Sequence, residues 1–118
     1  MSEAQEQIAL IHWATKQSDK YPELALLYHI PNGGGRHPAE AAQLKRQGVK
    51  AGVPDLCLPV ARGGYNGLYI ELKVGRNKPT ESQAGWIERL NKQGYRAVTC
   101  WGWIAARDEI MRYLEDMR

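Results

Sequence analysis

The sequence predicts an α/β fold, a small mixed β-sheet flanked by helices, and three observations predict it. Two apolar runs, Asp55 to Val60 and Leu68 to Val74, are short, rich in Leu, Ile and Val, and bounded by Gly, Pro and Asn, as strands are. Four longer stretches carry apolar residues at helical spacing between recognisable start and stop signals. The two kinds of segment alternate: helix, strand or turn, helix, strand, strand, helix, strand, helix. That order buries one sheet under helices, within a single domain over residues 1–118.

The first helix runs from about Ser2 to Ser18. Ser2 is its cap, Glu3 and Glu6 lie in the first turn where the macrodipole favours acids, and Ile8, Leu10, Ile11, Trp13 and Ala14 form the apolar side. Tyr21-Pro22 ends it. Leu24 to Ile30 reads either as a short strand or, over Leu24 to Leu27, as a helical turn. Pro31-Asn32-Gly33-Gly34-Gly35 is a loop. Pro38 opens a second helix that Gly48 stops after Gln47. Asp55–Val60 and Leu68–Val74 form an antiparallel hairpin through Arg62-Gly63-Gly64-Tyr65-Asn66-Gly67. Thr80-Glu81-Ser82-Gln83 caps a third helix reaching Gln93, with Gly94 as its stop. Tyr95 to Trp101 is a further strand. Ile104 to Met117 closes the chain as a helix with Ile104, Ile110, Met111 and Leu114 on its apolar side.

Composition narrows the class. Hydrophobic residues make up 43% and charged residues 25% of the 118, ordinary values for a globular domain and against wholesale disorder. No apolar run approaches the ~20 residues of a membrane span. Met1-Ser2-Glu3-Ala4-Gln5-Glu6 lacks the basic and apolar regions of a signal peptide, so the expected location is the cytoplasm and no membrane partner is expected. Cys57 and Cys100 fall in apolar strands and read as buried thiols. The net charge is +3 and the pI about 9.0. His29, Arg36, His37, Lys45, Arg46, Lys50, Arg62, Lys73, Arg76 and Lys78 crowd the middle of the chain, against only Glu40, Asp55 and Glu71. A solvated basic face would explain part of this excess, and a polyanion partner explains more of it.

Those few acids occupy strand positions. Gly52-Val53-Pro54-Asp55-Leu56 puts an acid at the head of one strand, and Tyr69-Ile70-Glu71-Leu72-Lys73 puts an acid and a lysine on one face of the next. Three readings follow. The two carboxylates hold Mg²⁺ or Mn²⁺, with the Leu72 carbonyl as a further oxygen ligand, and Lys73 positions water or a phosphate oxygen. Alternatively Glu71 and Lys73 form a surface salt bridge while Asp55 caps a turn. In the third, Lys73 binds a small anion alone.

Asp55 with Glu71-Leu72-Lys73 resembles the PD-(D/E)xK nuclease core, and the chain is most similar to its VRR-NUC group, the virus-type replication-repair nucleases of phages and bacteria. The likeness runs through Glu3 and Gln7, His29-Ile30-Pro31-Asn32-Gly33-Gly34, Leu44-Lys45, Gly48, Gly52-Val53-Pro54-Asp55-Leu56, Glu71-Leu72-Lys73 and Ser82-Gln83. It implies a restriction-endonuclease-like core with Asp55 and Glu71 as metal ligands and Lys73 as the catalytic lysine. It also implies that Gln83 faces the site and that an acid of the first helix completes the cluster. Glu3 fits the family spacing to Gln7 better than Glu6 does. The activity implied is divalent-metal-dependent cleavage of DNA, and small members of the group act as homodimers on branched DNA such as four-way junctions.

The remaining candidates have weaker signals. His29 and Asn32 read as DNA contacts or as residues shaping the site floor, with a satisfied structural residue at a strand end as the alternative for His29. Arg36, Arg62, Arg76 and Lys78 are candidate phosphate contacts, each with an ordinary surface role as its alternative. Gly33 to Gly35 lacks the strand–loop–helix setting and terminal Lys-Ser/Thr of a phosphate-binding loop, so no nucleotide cofactor is expected. Trp86, Trp101 and Trp103 read as core or interface residues. Two other functions fit the same sequence: a catalytically silent DNA-binding or interaction module on a nuclease fold, and an RNA-directed nuclease using His29 or His37 as a base.

Overall fold

In the computed structural model, which describes residues 1–31 and 37–116, α1 spans Glu3–Gln17 and begins in a full capping box. Ser2 Oγ accepts from Gln5 N–H at 3.1 Å, and Gln5 Oε1 accepts from Ser2 N–H at 2.8 Å. The ambiguous segment after it is both things expected of it in turn. Pro22–Leu26 winds as a 3₁₀ helix, and Tyr28–His29 then pairs as the short strand β1. α2 spans Pro38–Arg46 and carries no buried residue.

The hairpin is β2, Leu56–Leu58, and β3, Leu68–Lys73. β2 is shorter than its apolar run because Pro59 has no N–H for the ladder, and the chain turns there with Val60 N–H donating to Leu58 O at 2.9 Å. α3 covers Glu81–Lys92, β4 Arg96–Trp101 and α4 Trp103–Asp116. The sheet order is β1-β2-β3-β4, antiparallel across the first three strands and parallel between β3 and β4. A parallel pair needs a crossover connection, and α3 supplies it. The result is the mixed sheet flanked by helices that the sequence predicts.

Strand alternation then divides the side chains. Leu56, Leu58, Leu68, Ile70 and Leu72 join Leu10 and Ala14 of α1 and Ala106, Ile110, Tyr113 and Leu114 of α4 in one core. Tyr113 is fully buried there and its hydroxyl donates to Val60 O at 2.6 Å, so the core's bulkiest member has its polar atom satisfied. Cys57 and Cys100 are free, buried thiols, as expected. Trp101 is outside the core. It lies at the end of β4 with 48% of its surface exposed, its Nε1–H donating to Asn77 O at 2.7 Å. Among the described residues, no helix is long and apolar enough to cross a membrane.

Candidate active site

Ile70 and Leu72 point into the core, so Glu71 and Lys73 project from the opposite face of β3. Asp55 reaches them from the bend before β2. Its Oδ2 accepts from the backbone N–H of Leu72 at 2.7 Å, and its carbonyl accepts from Ile30 N–H at 2.7 Å. His29 Nδ1 also lies 2.8 Å from that carbonyl. A carbonyl can only accept, so Nδ1 carries the proton in this contact. Asp55 is therefore fixed on one side by β1 and on the other by β3.

The third acid comes from α1. Glu3, Asp55 and Glu71 each offer a carboxylate oxygen, and these oxygens lie within 4.8 Å of one another. Glu6, the other candidate, is engaged elsewhere: its Oε2 accepts from Trp103 N–H at 2.8 Å, satisfying an open donor at the start of α4. The helix turn that separates the two glutamates thus gives one to the cluster and the other to packing between α1 and α4.

Glu71 is the unusual member. It is 1% exposed, and among the described residues neither of its carboxylate oxygens has a hydrogen-bond partner. Lys73 Nζ stands 3.6 Å from its Oε2, close enough to pair electrostatically and too far to hydrogen-bond. Loss of solvent pushes the Glu71 carboxyl well above the usual carboxylate range, the negative charges of Asp55 and Glu3 push it the same way, and Lys73 offsets only part of this. A buried, partnerless, crowded carboxylate is costly for folding alone. Three carboxylates so disposed are an oxygen-donor set suited to a hard divalent cation, whose charge would relieve both the crowding and the missing partners. The residues present fit such an ion.

The loop leading to Asp55 is held in place by α3. Gly52 has φ +90°, and a Cβ there would stand 2.2 Å from Ser82 Oγ, while Ser82 Oγ donates to Ala51 O at 3.4 Å. Only glycine fits this backbone and this close approach. Gln83 takes part in the capping stretch expected at the start of α3. Its Oε1 accepts from Thr80 N–H at 2.8 Å and its own N–H donates to Thr80 Oγ1 at 3.2 Å, which makes it the second half of the α3 capping box.

The basic candidates divide by position. Arg76 and Lys78 are exposed in the loop that follows Lys73, at the acid-bearing end of β3. Arg62 is not brought to the acids. It sits at the other end of the hairpin, paired with Glu23 at 2.5 Å, beside a cavity of about 750 Å³ that Tyr21, Tyr65 and Leu114 also line. Asn32 and Arg36 lie outside the described residues. The His29 bond to the Asp55 carbonyl is the structural alternative that the sequence offered for a histidine at this strand end. The capping of α4 by Glu6 had no such signal beyond an acid at helical spacing from Glu3.

A mixed sheet whose β2–β3 hairpin gathers two acids and a lysine, completed by an acid of the first helix, is a nuclease-type fold. The chain belongs to the VRR-NUC domain family, whose sequence profile matches residues 1–103. Among solved structures it is similar to a VRR_NUC domain protein, with 37% identity and a TM-score of 0.83 over 98% of this chain and 89% of that one. No curated protein matches it.

Proposed function

We propose that the protein is a divalent-metal-dependent endonuclease that hydrolyses phosphodiester bonds in DNA. We further propose branched DNA of the four-way-junction type, met in replication, repair and recombination, as its substrate. The observation that carries this is Glu71: a buried carboxylate without a hydrogen-bond partner among the described residues, gathered with Glu3 and Asp55 and paired with Lys73.

Glu3, Asp55 and Glu71 would hold Mg²⁺ or Mn²⁺, with the Leu72 carbonyl as a further oxygen. The chemistry such an ion supplies is neutralisation of phosphate charge and a lowered pKa for water at the site. The rest is done by the chain. Asp55 is set in place by the Leu72 N–H and needs no rearrangement before the substrate arrives. Lys73, 7% exposed and tethered by Glu71, keeps a cation in a water-poor site, where it orients the attacking water or donates to a phosphate oxygen. Arg76 and Lys78 extend the positive charge along the DNA backbone, and Gln83, from the first turn of α3, orients phosphate with the amide nitrogen that capping leaves over. A homodimer would place two symmetric sites against the two strands of a symmetric junction.

The test is cleavage of a labelled four-way junction, with linear duplex and single strand alongside, in Mg²⁺ or Mn²⁺ and in EDTA. Paired, metal-dependent cuts in the junction are expected. Metal-dependent cutting of linear DNA alone would keep the active site and remove the junction preference. A junction that is bound and never cut would mark a silent binding module.

A further inference from the structure

The sheet face that carries Glu71 and Lys73 also carries a row of tyrosines. Tyr69 precedes Glu71 by two positions on β3 and so shares its face. Tyr28 of β1 pairs with Cys57 of β2, and Cys57 pairs with Tyr69. Directly paired residues point the same way, so Tyr28, Cys57 and Tyr69 form one line across three strands. Tyr95, just ahead of β4, sets its ring edge-on to Tyr69 with centroids 5.2 Å apart at 78°. Cys57 is closed off beneath these rings at 4% exposure, whereas Tyr28 keeps 50% of its surface in solvent. The Cys57 thiol, more than burial, raises the Tyr28 phenol above the ordinary tyrosine range, and burial, then the same thiol, pushes the Tyr69 phenol up to about 12, so both phenols are neutral at pH 7.

This row differs from the aromatic residues that the fold consumes. Tyr113 is wholly inside the core with its hydroxyl satisfied. Tyr28 instead stands on a two-residue edge strand, where a half-exposed ring adds little to the core. Tyr69 stands two positions before Glu71 on the same face, so the aromatic row adjoins the acid and lysine cluster.

We propose that Tyr28 and Tyr69 form a stacking platform for unpaired bases of the DNA strand whose phosphate lies at Glu71 and Lys73. Single-stranded or flapped nucleotides, not continuous duplex, are then the part of the substrate that this face recognises. The proposal rests on the nuclease reading, independently of the four-way-junction preference, and specifies the pairing state of the DNA recognised beside the site. Its physical basis is that bases inside a duplex already stack on their neighbours, whereas an unpaired base offers a free face to an aromatic ring. Every base has such a face, so the platform selects for pairing state and not for sequence.

The test is equilibrium binding at low salt in EDTA, with three labelled DNAs: a single strand, the same strand in a blunt duplex, and the duplex carrying a single-stranded flap. Tyr28→Ala should weaken single-strand and flap binding on the order of tenfold and leave blunt duplex unchanged. Tyr28→Phe, which keeps the ring, should bind as the wild type does. Equal affinity of Tyr28→Ala and wild type for the single strand would overturn the platform, as would an equal loss on all three DNAs. A change in oligomeric state on Tyr28→Ala, seen by sedimentation, would overturn it in favour of an interface between copies of the chain. Wild-type protein that binds none of the three DNAs and no four-way junction would remove the nuclease reading itself, an outcome distinct from unchanged binding by the variant.

Discussion

Asp55 Oδ2 accepts a hydrogen bond from the backbone N–H of Leu72 at 2.7 Å, so the first acid of the motif is pinned to the strand residue lying between the second acid and the lysine. The contact converts two separate stretches of sequence into one rigid unit. Replacing the carboxylate while keeping its shape separates its proposed role as ligand from its structural one. Asp55→Asn retains an oxygen for the Leu72 N–H and loses the charge. Calorimetric Mn²⁺ binding should fall at least tenfold in this variant, with its melting temperature within a few degrees of the wild type. Unaltered Mn²⁺ affinity would remove Asp55 from the ligand set.

Lys73→Ala should abolish cleavage while leaving DNA binding largely intact. Its ammonium is a single charge in a protein with many exposed lysines and arginines, so its removal costs little of the total phosphate attraction. Cleavage at the wild-type rate by this variant, measured on the same labelled DNA, would sink the assignment of Lys73.

Glu71 gives the protein a pH signature. Its folded pKa is raised, to about 8 from an ordinary 4.5, so its contribution to stability is complete below the unfolded value and is lost as pH rises through the folded one. In EDTA the melting temperature should therefore decline between roughly pH 5 and pH 8. In Glu71→Gln this decline should largely disappear, and the variant should melt several degrees higher than the wild type at pH 8. Metal binding needs the ionised form, so Mn²⁺ affinity should rise over the same interval with release of a proton, detectable by calorimetry in two buffers of different ionisation enthalpy. Identical melting profiles for wild type and Glu71→Gln would refute this account.

Glu3 and Glu6 should separate cleanly. Glu3→Gln is expected to weaken Mn²⁺ binding with little effect on melting. Glu6→Ala should leave the three-acid cluster intact and cost about 1 kcal/mol through loss of the bond to Trp103 N–H. Chemical denaturation and calorimetry on both variants would show whether the two effects exchange places.

Much of this was legible in the chain because it depends on near neighbours. Ser2 and Thr80 announce capping boxes, Pro38 opens a helix, and the period of two in Tyr69 to Lys73 assigns Glu71 and Lys73 to one face. The candidate acids Asp55 and Glu71 also needed no more than a hairpin to be brought together. Where the structure adds to the sequence, both near and distant neighbours act: β2 stops at Leu58 for want of a ladder donor at Pro59, the Gln83 side-chain oxygen serves its own helix cap, and Arg62 pairs with Glu23 across the fold.

The sequence by itself determined the secondary elements, their order and the identity of the hairpin's acids and lysine, because caps, turns and strand alternation act over a few residues. Tertiary structure alone decided which first-helix glutamate joins them, that Glu71 is buried without a hydrogen-bond partner among the described residues, and that Tyr28 lines up with Tyr69 across β2. Those outcomes depend on how α1 docks against the sheet and α4, and on the pairing register of the strands. Docking and register are set by burial of a whole core at once, which no local pattern encodes.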